Sequence, residues 1–294
     1  MAAGKFYALM AGIIWGFTPI FAKLALGGAS SRLVMVFGTL SGAGLIVVIG
    51  LAQGTSGWFG LPLPTLLVYM ATGVTGSFFG HMFYIKGIDK IGGARATSIV
   101  NASPLLTTFF ATLLLGERFT AVIGAGIVLI VGGIYLISAQ RADQGPQRYR
   151  RLDLLWPLLS AFCYSFNPVL KRLGMTMTPA PILGIFYSHG TSSVLFLISF
   201  LIRQGWREAR SVAPRYLLFT VLAGFATSLG GYMTYLAVQD QPALIVSSIW
   251  RITPLVSLFL SYLMLRGAEE VTLKDLLGTV TIVAGVVILL RLAR

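Results

Sequence analysis

Arg251 is the residue of this sequence placed most unusually for chemistry. It lies about eight residues into an apolar run, roughly 12 Å deep at the helical rise. A charge at that depth costs about 2.5–3.5 kcal/mol on an insertion scale, and no acid within a span offers itself as partner. Two roles fit. Arg251 lines a polar cavity and meets a substrate carboxylate, or it donates to carbonyls left open beside Pro254, because a proline removes an intrahelical bond. Thr97, Asn101, Pro104 and Thr108 recur at spacings that share one helix face. Ser247, Arg251 and Pro254 form a matching stripe. Pro19 follows Trp15 and Phe17, and Pro168 follows Tyr164, Phe166 and Asn167. His81 and Tyr84, with Ser77, share a face of their run and could bond a polar substrate or a neighbouring helix. The residues expected to contact substrate are Trp15, Pro19, His81, Tyr84, Asn101, Tyr164, Asn167, Trp250 and Arg251. The expected hinges are Pro19, Pro104, Pro168 and Pro254.

Other chemistry is poorly supplied. The nine acids fall in loops or at span ends, which argues against a carboxylate proton relay and against a hard-cation site. One cysteine, Cys163, and two histidines exclude a disulfide framework and argue against a dedicated zinc site. There is no glycine-rich phosphate loop, and no nucleophile motif accompanies His81 or His189. The chain is therefore expected to be no enzyme, and to need no metal and no cofactor. Glu117 and Glu269, each followed after three residues by Thr120 or Thr272, read as turn features. The threonine caps the next helix, and the glutamate pairs with a loop arginine.

The elements that position these residues follow from composition. Of 294 residues, 56% are hydrophobic and 11% charged, less than half the usual charged share of about 25%. The solvent suited to such a chain is a bilayer, in which a helical span takes roughly 20 residues. Apolar runs at 5–26, 33–52, 64–86, 93–115, 120–138, 153–173, 181–202, 215–238, 243–265 and 272–292 predict ten transmembrane helices. The net charge of +13 is placed between these runs, as positive-inside topology requires, and no soluble domain is left to carry a nucleic-acid face. Gly12 and Gly16, and Gly76 and Gly80, stand at the four-residue spacing that permits close helix approach.

The chain repeats itself. Trp15 to Pro19 matches Tyr164 to Pro168 at an offset of 149, and Thr97 to Pro104 matches Ser247 to Pro254 at 150. Glu117 and Thr120 match Glu269 and Thr272 at 152. Residues 1–140 and 153–294 thus read as two five-span repeats joined by a basic linker at 141–152. Five is odd, so the second copy enters the membrane inverted, a transporter signature with the binding site at the repeat interface. The expected fold is all-α, ten transmembrane helices in two inverted repeats around a central cavity.

These blocks resemble the EamA-type repeat of the drug/metabolite transporter superfamily. The resembling residues are those from Trp15 to Pro19 and Tyr164 to Pro168, Ser103-Pro104, Leu115 to Thr120, and Gly124, Gly126, Gly132 and Gly133. The second copy keeps Pro254, Glu269, Thr272, Gly278 and Gly285, and departs by two extra residues before Glu269. The resemblance implies alternating access and export of small metabolites. Within the superfamily the chain is most similar to the bacterial YddG-type aromatic amino acid exporters. The function expected is facilitated export of aromatic and other neutral amino acids across a bacterial inner (plasma) membrane. A monomer suffices, since both repeats lie in one chain. A cationic drug exporter lacks its carboxylate here, a lipid-modifying enzyme lacks paired acids, and a passive scaffold leaves the matched polar stripes unexplained.

Connections after the odd-numbered spans carry most of the Lys and Arg, among them Lys23, Lys86, Arg150 and Arg203. The other side carries Lys5, Arg118, Lys171, Arg172, Arg291 and Arg294. The charge rule therefore puts both termini outside, whereas the resemblance implies cytoplasmic termini in many members. The charge count predicts that alkaline phosphatase fused after Arg294 is active in intact cells. An inactive fusion beside a fluorescent cytoplasmic reporter at the same position overturns that orientation.

Overall fold

A computed structural model of the protein describes residues 2–91, 96, 99–141, 150–202, 212–264 and 273–291. Among the described residues every regular element is helical. The first half holds α1 (Ala2–Ala25), α2 (Ser31–Ala52), α3 (Leu63–Thr72), a π-helical segment (Gly73–Gly80), α4 (His81–Ile91), α5 (Ser103–Leu115) and α6 (Ala121–Arg141). The second holds α7 (Leu155–Met177), α8 (Pro181–Ile202), α9 (Pro214–Asp240), α10 (Ala243–Ile249), a 3₁₀ turn (Trp250–Ile252), α11 (Thr253–Met264) and α12 (Leu273–Arg291).

Helices are what this composition must form, because hydrocarbon offers no partner for an open backbone group. Five helical stretches, Ala3–Ala25, Ser31–Ala52, Leu63–Ile88, Pro181–Ile202 and Pro214–Asp240, are long and apolar enough to cross a membrane. Four shorter apolar helices accompany them. The 23-residue α7 is long enough but more polar, carrying Ser160, Tyr164, Ser165, Asn167, Lys171 and Arg172. The surface is apolar, with Phe109, Leu113, Ile202 and Phe259 exposed. Hydroxyls and amides such as Asn101, Ser165, Ser188, Thr234 and Ser247 are buried instead. That arrangement suits a lipid solvent rather than water.

Two differences from the expected runs matter for the site. The runs at 93–115 and 243–265 are each interrupted, at Ala102 and at Trp250–Ile252, so that Pro104 and Pro254 fall in the first turn of a new helix. There a proline lacks only an N–H that would be unpaired anyway. Pro19 and Pro168, by contrast, sit inside continuous helices. The run expected to end at 173 continues to Met177. Lys171 therefore lies within α7 and is 4% exposed. Its count among loop charges is corrected: it is a buried cation, in addition to the half-buried Arg251. Thr97, Glu269, Thr272 and most of the basic linker, 142–149, lie outside the described residues.

Packing is exchanged between the two halves. The first helix, α1, packs on α9 and α11, while α7 packs on α3, the π segment, α4 and α5. Helix α2 packs on α8 and α9, and α6 on α12. Small residues let these backbones approach, as helix association in lipid requires. A Cβ on Gly12 would stand 2.7 Å from the Trp250 carbonyl oxygen, and one on Gly230 would meet the Trp15 indole at 2.6 Å. Gly76 receives the side chain of Asn167, and Gly80 that of Tyr164. Between α6 and α12, a Cβ on Gly133 would lie 2.6 Å from the Gly278 carbonyl oxygen, whereas Gly132 meets nothing within 4 Å.

This contrast predicts the cost of one methyl group. Gly133→Ala forces two helix backbones apart and should cost about 1–3 kcal/mol. Gly132→Ala should leave stability unchanged or slightly higher. Thermal midpoints of the detergent-purified variants, read by loss of the monodisperse peak, check both. Equal midpoints for the two variants contradict the packing.

Candidate functional site

The helix interruptions place polar groups of both halves at the same level. Arg251, in the 3₁₀ turn before Pro254, donates through Nη1 to Asn101 Oδ1 at 2.7 Å and through Nη2 to Ser103 Oγ. Asn101 and Ser103 flank the break before α5. Asn101 and Arg251 are the counterparts at offset 150 in the sequence repeat. Arg251 Nε is buried without a hydrogen-bond partner, so the guanidinium keeps an unspent donor. Tyr164 and Tyr84 lie within its electrostatic reach, and the Tyr164 hydroxyl stands 3.5 Å from His81 Nδ1.

Lys171 forms a second cluster. Its ammonium donates to Thr234 Oγ1 at 2.7 Å, and the Thr234 hydroxyl donates in turn to the Gly231 carbonyl at 2.6 Å. The ammonium lies 4.9 Å from the ring centre of Tyr235, 5.9 Å from Trp15 and 6.0 Å from Trp250. Trp15 and Trp250 meet edge to face at 5.1 Å. Trp15 is fixed by donation of its indole N–H to the Thr227 carbonyl at 2.9 Å. The Tyr235 hydroxyl shares a 2.9 Å hydrogen bond with Thr72. Cation–π contacts are worth about 0.5–2 kcal/mol each, while burying an ion costs several kcal/mol. One hydroxyl and three ring faces therefore leave this ammonium under-compensated, and no acidic partner for it is found among the described residues.

The expected site residues thus divide. Arg251, Asn101, Tyr84, Tyr164 and His81 gather in the first cluster, and Trp15 and Trp250 wall the second. Asn167 donates to the Thr72 carbonyl at 3.0 Å, at the start of the π segment. Pro19 is exposed on α1. Thr108 bonds its own helix at the Pro104 carbonyl and lines an apolar lateral groove of about 590 Å³ between α5 and α6, away from Asn101. Its neighbour Thr107 turns inward instead, to the Ser165 carbonyl at 3.2 Å. The sequence reading omits Ser103, Thr234, Tyr235 and Lys171. Lys171 carried a usable signal: Ser160, Tyr164, Asn167 and Lys171 have the spacing of the Thr97–Thr108 stripe.

Two polar pairs have structural roles. His189 Nδ1 and Ser228 Oγ stand 2.7 Å apart, both buried, with Ser228 filling the notch at Gly42. Gly116 adopts φ 65°, a left-handed turn that glycine takes without strain, and so ends α5 and aims Glu117 across to the second half. Glu117 accepts the Ala243 N–H at 2.6 Å and the Leu244 N–H at 3.0 Å, capping α10. This corrects the expected pairing with a loop arginine. Arg172, whose charge reaches Glu117, donates to the Val238 carbonyl and to that of Gln239 at 2.6 Å, at the end of α9. Thr120 accepts from the Ile123 N–H at 3.3 Å, as the cap expected of it.

The profile of the EamA-like transporter family matches this chain twice, over residues 2–139 and 152–291. A curated relative, the uncharacterized transporter YvbV of Bacillus subtilis, is 26% identical over 275 residues, covering 93% of this chain and 87% of that protein. The uncharacterized inner membrane transporter YicL of Salmonella typhimurium is 32% identical over 136 residues, 44% of this chain. That match spans 45% of YicL, less than half its length. A solved crystal structure shares the fold at a TM-score of 0.81 and 19% identity, over 98% of this chain and 96% of the other.

Glu117 yields a prediction of stability and its pH dependence. Burial raises its carboxyl above the usual value, opposed by the Leu244 and Ala243 amides and by Arg172. The folded state thus holds this proton more tightly than the unfolded chain. The linked stability is present below the ordinary glutamate range and is lost as pH rises through the folded value. Glu117→Gln leaves one oxygen for two amides and should cost about 1–2 kcal/mol at low pH. It should also flatten this part of the stability–pH curve. Thermal midpoints across pH, with exposed Arg118→Gln as control, test both expectations.

Proposed function

The chain belongs to the EamA-like transporter family, and on that premise we propose that it exports amino acids, aromatic and other neutral ones, by facilitated alternating access. In this reading it spans a bacterial inner membrane ten times, as two inverted five-helix repeats covering 1–140 and 153–294, and works as a monomer. The observation that carries the substrate class is Arg251: a half-buried guanidinium whose buried Nε donor is open, held by the neutral acceptors Asn101 and Ser103. An uncharged acceptor pair leaves the guanidinium its full charge for a carboxylate, and charge-assisted bonds of that kind are the stronger ones. Tyr164, Tyr84 and His81 stand beside it as groups for the substrate's polar atoms. Trp15 and Trp250 offer aromatic surface for an apolar or aromatic side chain. Both buried cations disfavour a cationic drug as cargo.

Exchanged packing supplies the moving parts of this mechanism. Each half contributes a helix broken next to a proline, and the breaks at Ala102 and Trp250–Ile252 meet at the Asn101–Arg251 bond. Rocking helix groups that each draw on both halves about that level opens the site to one side or the other.

Counterflow in reconstituted liposomes tests the proposal. Vesicles loaded with unlabelled amino acid should accumulate labelled Trp, Phe, Thr or Met without a pH gradient, and empty vesicles should not. Arg251→Gln should lower the initial rate by about tenfold or more, as expected for loss of a charge-assisted contact. No accumulation of any of the four by folded protein overturns the amino acid reading.

A further inference from the structure

We propose that Lys171 is a second anion subsite, which takes the carboxylate of the transported molecule behind the Trp15–Trp250 pair. The inference rests on the transport reading above and adds a station to the path. An ammonium group has three N–H donors. One goes to Thr234 Oγ1; the others face ring systems whose centres lie 4.9–6.0 Å away. Those faces compensate charge but give no acceptor atom of hydrogen-bond strength. Thr234 cannot do more, since its proton is committed to the Gly231 carbonyl. His189 is a further titratable group within electrostatic reach of Lys171, and it is bonded to Ser228.

The missing partner is thus a compact anion with two acceptor atoms, which is a carboxylate. Trp250 links the two clusters: its ring lies 6.0 Å from the Lys171 ammonium, and Arg251 is the next residue in the chain. A carboxylate leaving Arg251 meets Lys171 once the Trp15–Trp250 contact opens.

The test measures ligand-induced shifts of thermal midpoint for the full-length detergent-purified protein, wild type, K171M, K171R and R251Q. The probes are 3-phenylpropionate and its neutral isostere 3-phenylpropanamide. Wild type should respond to the acid at concentrations about tenfold below those needed for the amide. K171M should erase most of that preference, K171R should keep it, and R251Q should retain part of it through the remaining cation. Equal responses of the wild type to acid and amide overturn the subsite without recourse to any variant. So does a K171M preference equal to the wild type's. Because phenylpropionate has no amino group, its result separates the two proposals. Lys171-dependent acid binding alongside failed amino acid counterflow keeps the subsite and discards the amino acid reading. Amino acid counterflow undiminished in K171M, with no acid preference in binding, does the reverse.

Discussion

A cation buried in this protein has to find its partners inside the protein, and among the described residues it finds no acid. That constraint organises the centre of the molecule. Arg251 is held by an amide and a hydroxyl, and Lys171 by a hydroxyl and three aromatic faces. Neutral partners of this kind offset a charge without cancelling it. An apolar replacement for either cation would be easier to bury, so retaining both is costly for stability alone. Their presence makes sense where an anion visits.

The acceptors of Arg251 come from the other half of the chain, and so does one wall of the Lys171 cage, Trp15. Both cations lie after residue 150, while Asn101, Ser103 and Trp15 lie before it. Bringing them together requires helices of the two halves to touch along their lengths, and in lipid such approach depends on small residues. Gly12 and Gly230 seat α1 on α9 and on the 3₁₀ turn, and Gly76 and Gly80 seat α7 on the π segment. The π segment is itself a local cost, since π geometry is rare and recurs at functional sites. Here it leaves the Thr72 carbonyl to Asn167, and Thr72 in turn steadies the Tyr235 hydroxyl beside Lys171.

The apolar runs were readable because lipid imposes one length and one backbone solution, so α1, α2, α8 and α9 fall where hydropathy puts them. Arg251 and Asn101 were readable as a pair because their neighbours repeat. Lys171 was not, because it sits beside Arg172 near the end of an apolar run, where a basic pair reads as a connection. The structure separates the two: Arg172 turns to the carbonyls ending α9, while Lys171 turns inward, one residue earlier on the helix. The partner of Glu117 was equally hidden, since a carboxylate capping a helix 126 positions away leaves no local pattern. Periodicity predicts which face a residue shares and says nothing of what the opposing helix brings to it.

The same geometry links anion binding to motion. Any rearrangement that parts α5 from the turn before α11 breaks the bonds from Arg251 to Asn101 and Ser103. A buried guanidinium then has open donors, and an unsatisfied charged group of that kind is among the most costly features a protein interior can hold. The empty protein is therefore held at the Asn101–Arg251 contact. In the proposed transport, a carboxylate that supplies the lost acceptors removes much of that penalty, so the contact opens more readily with cargo than without it. Thr234 and the aromatic cage hold Lys171 in a comparable way. On the transport proposed above, exchange of cargo for cargo is then favoured over the return of an empty site, and the cause is neutral partners to buried cations rather than a proton relay.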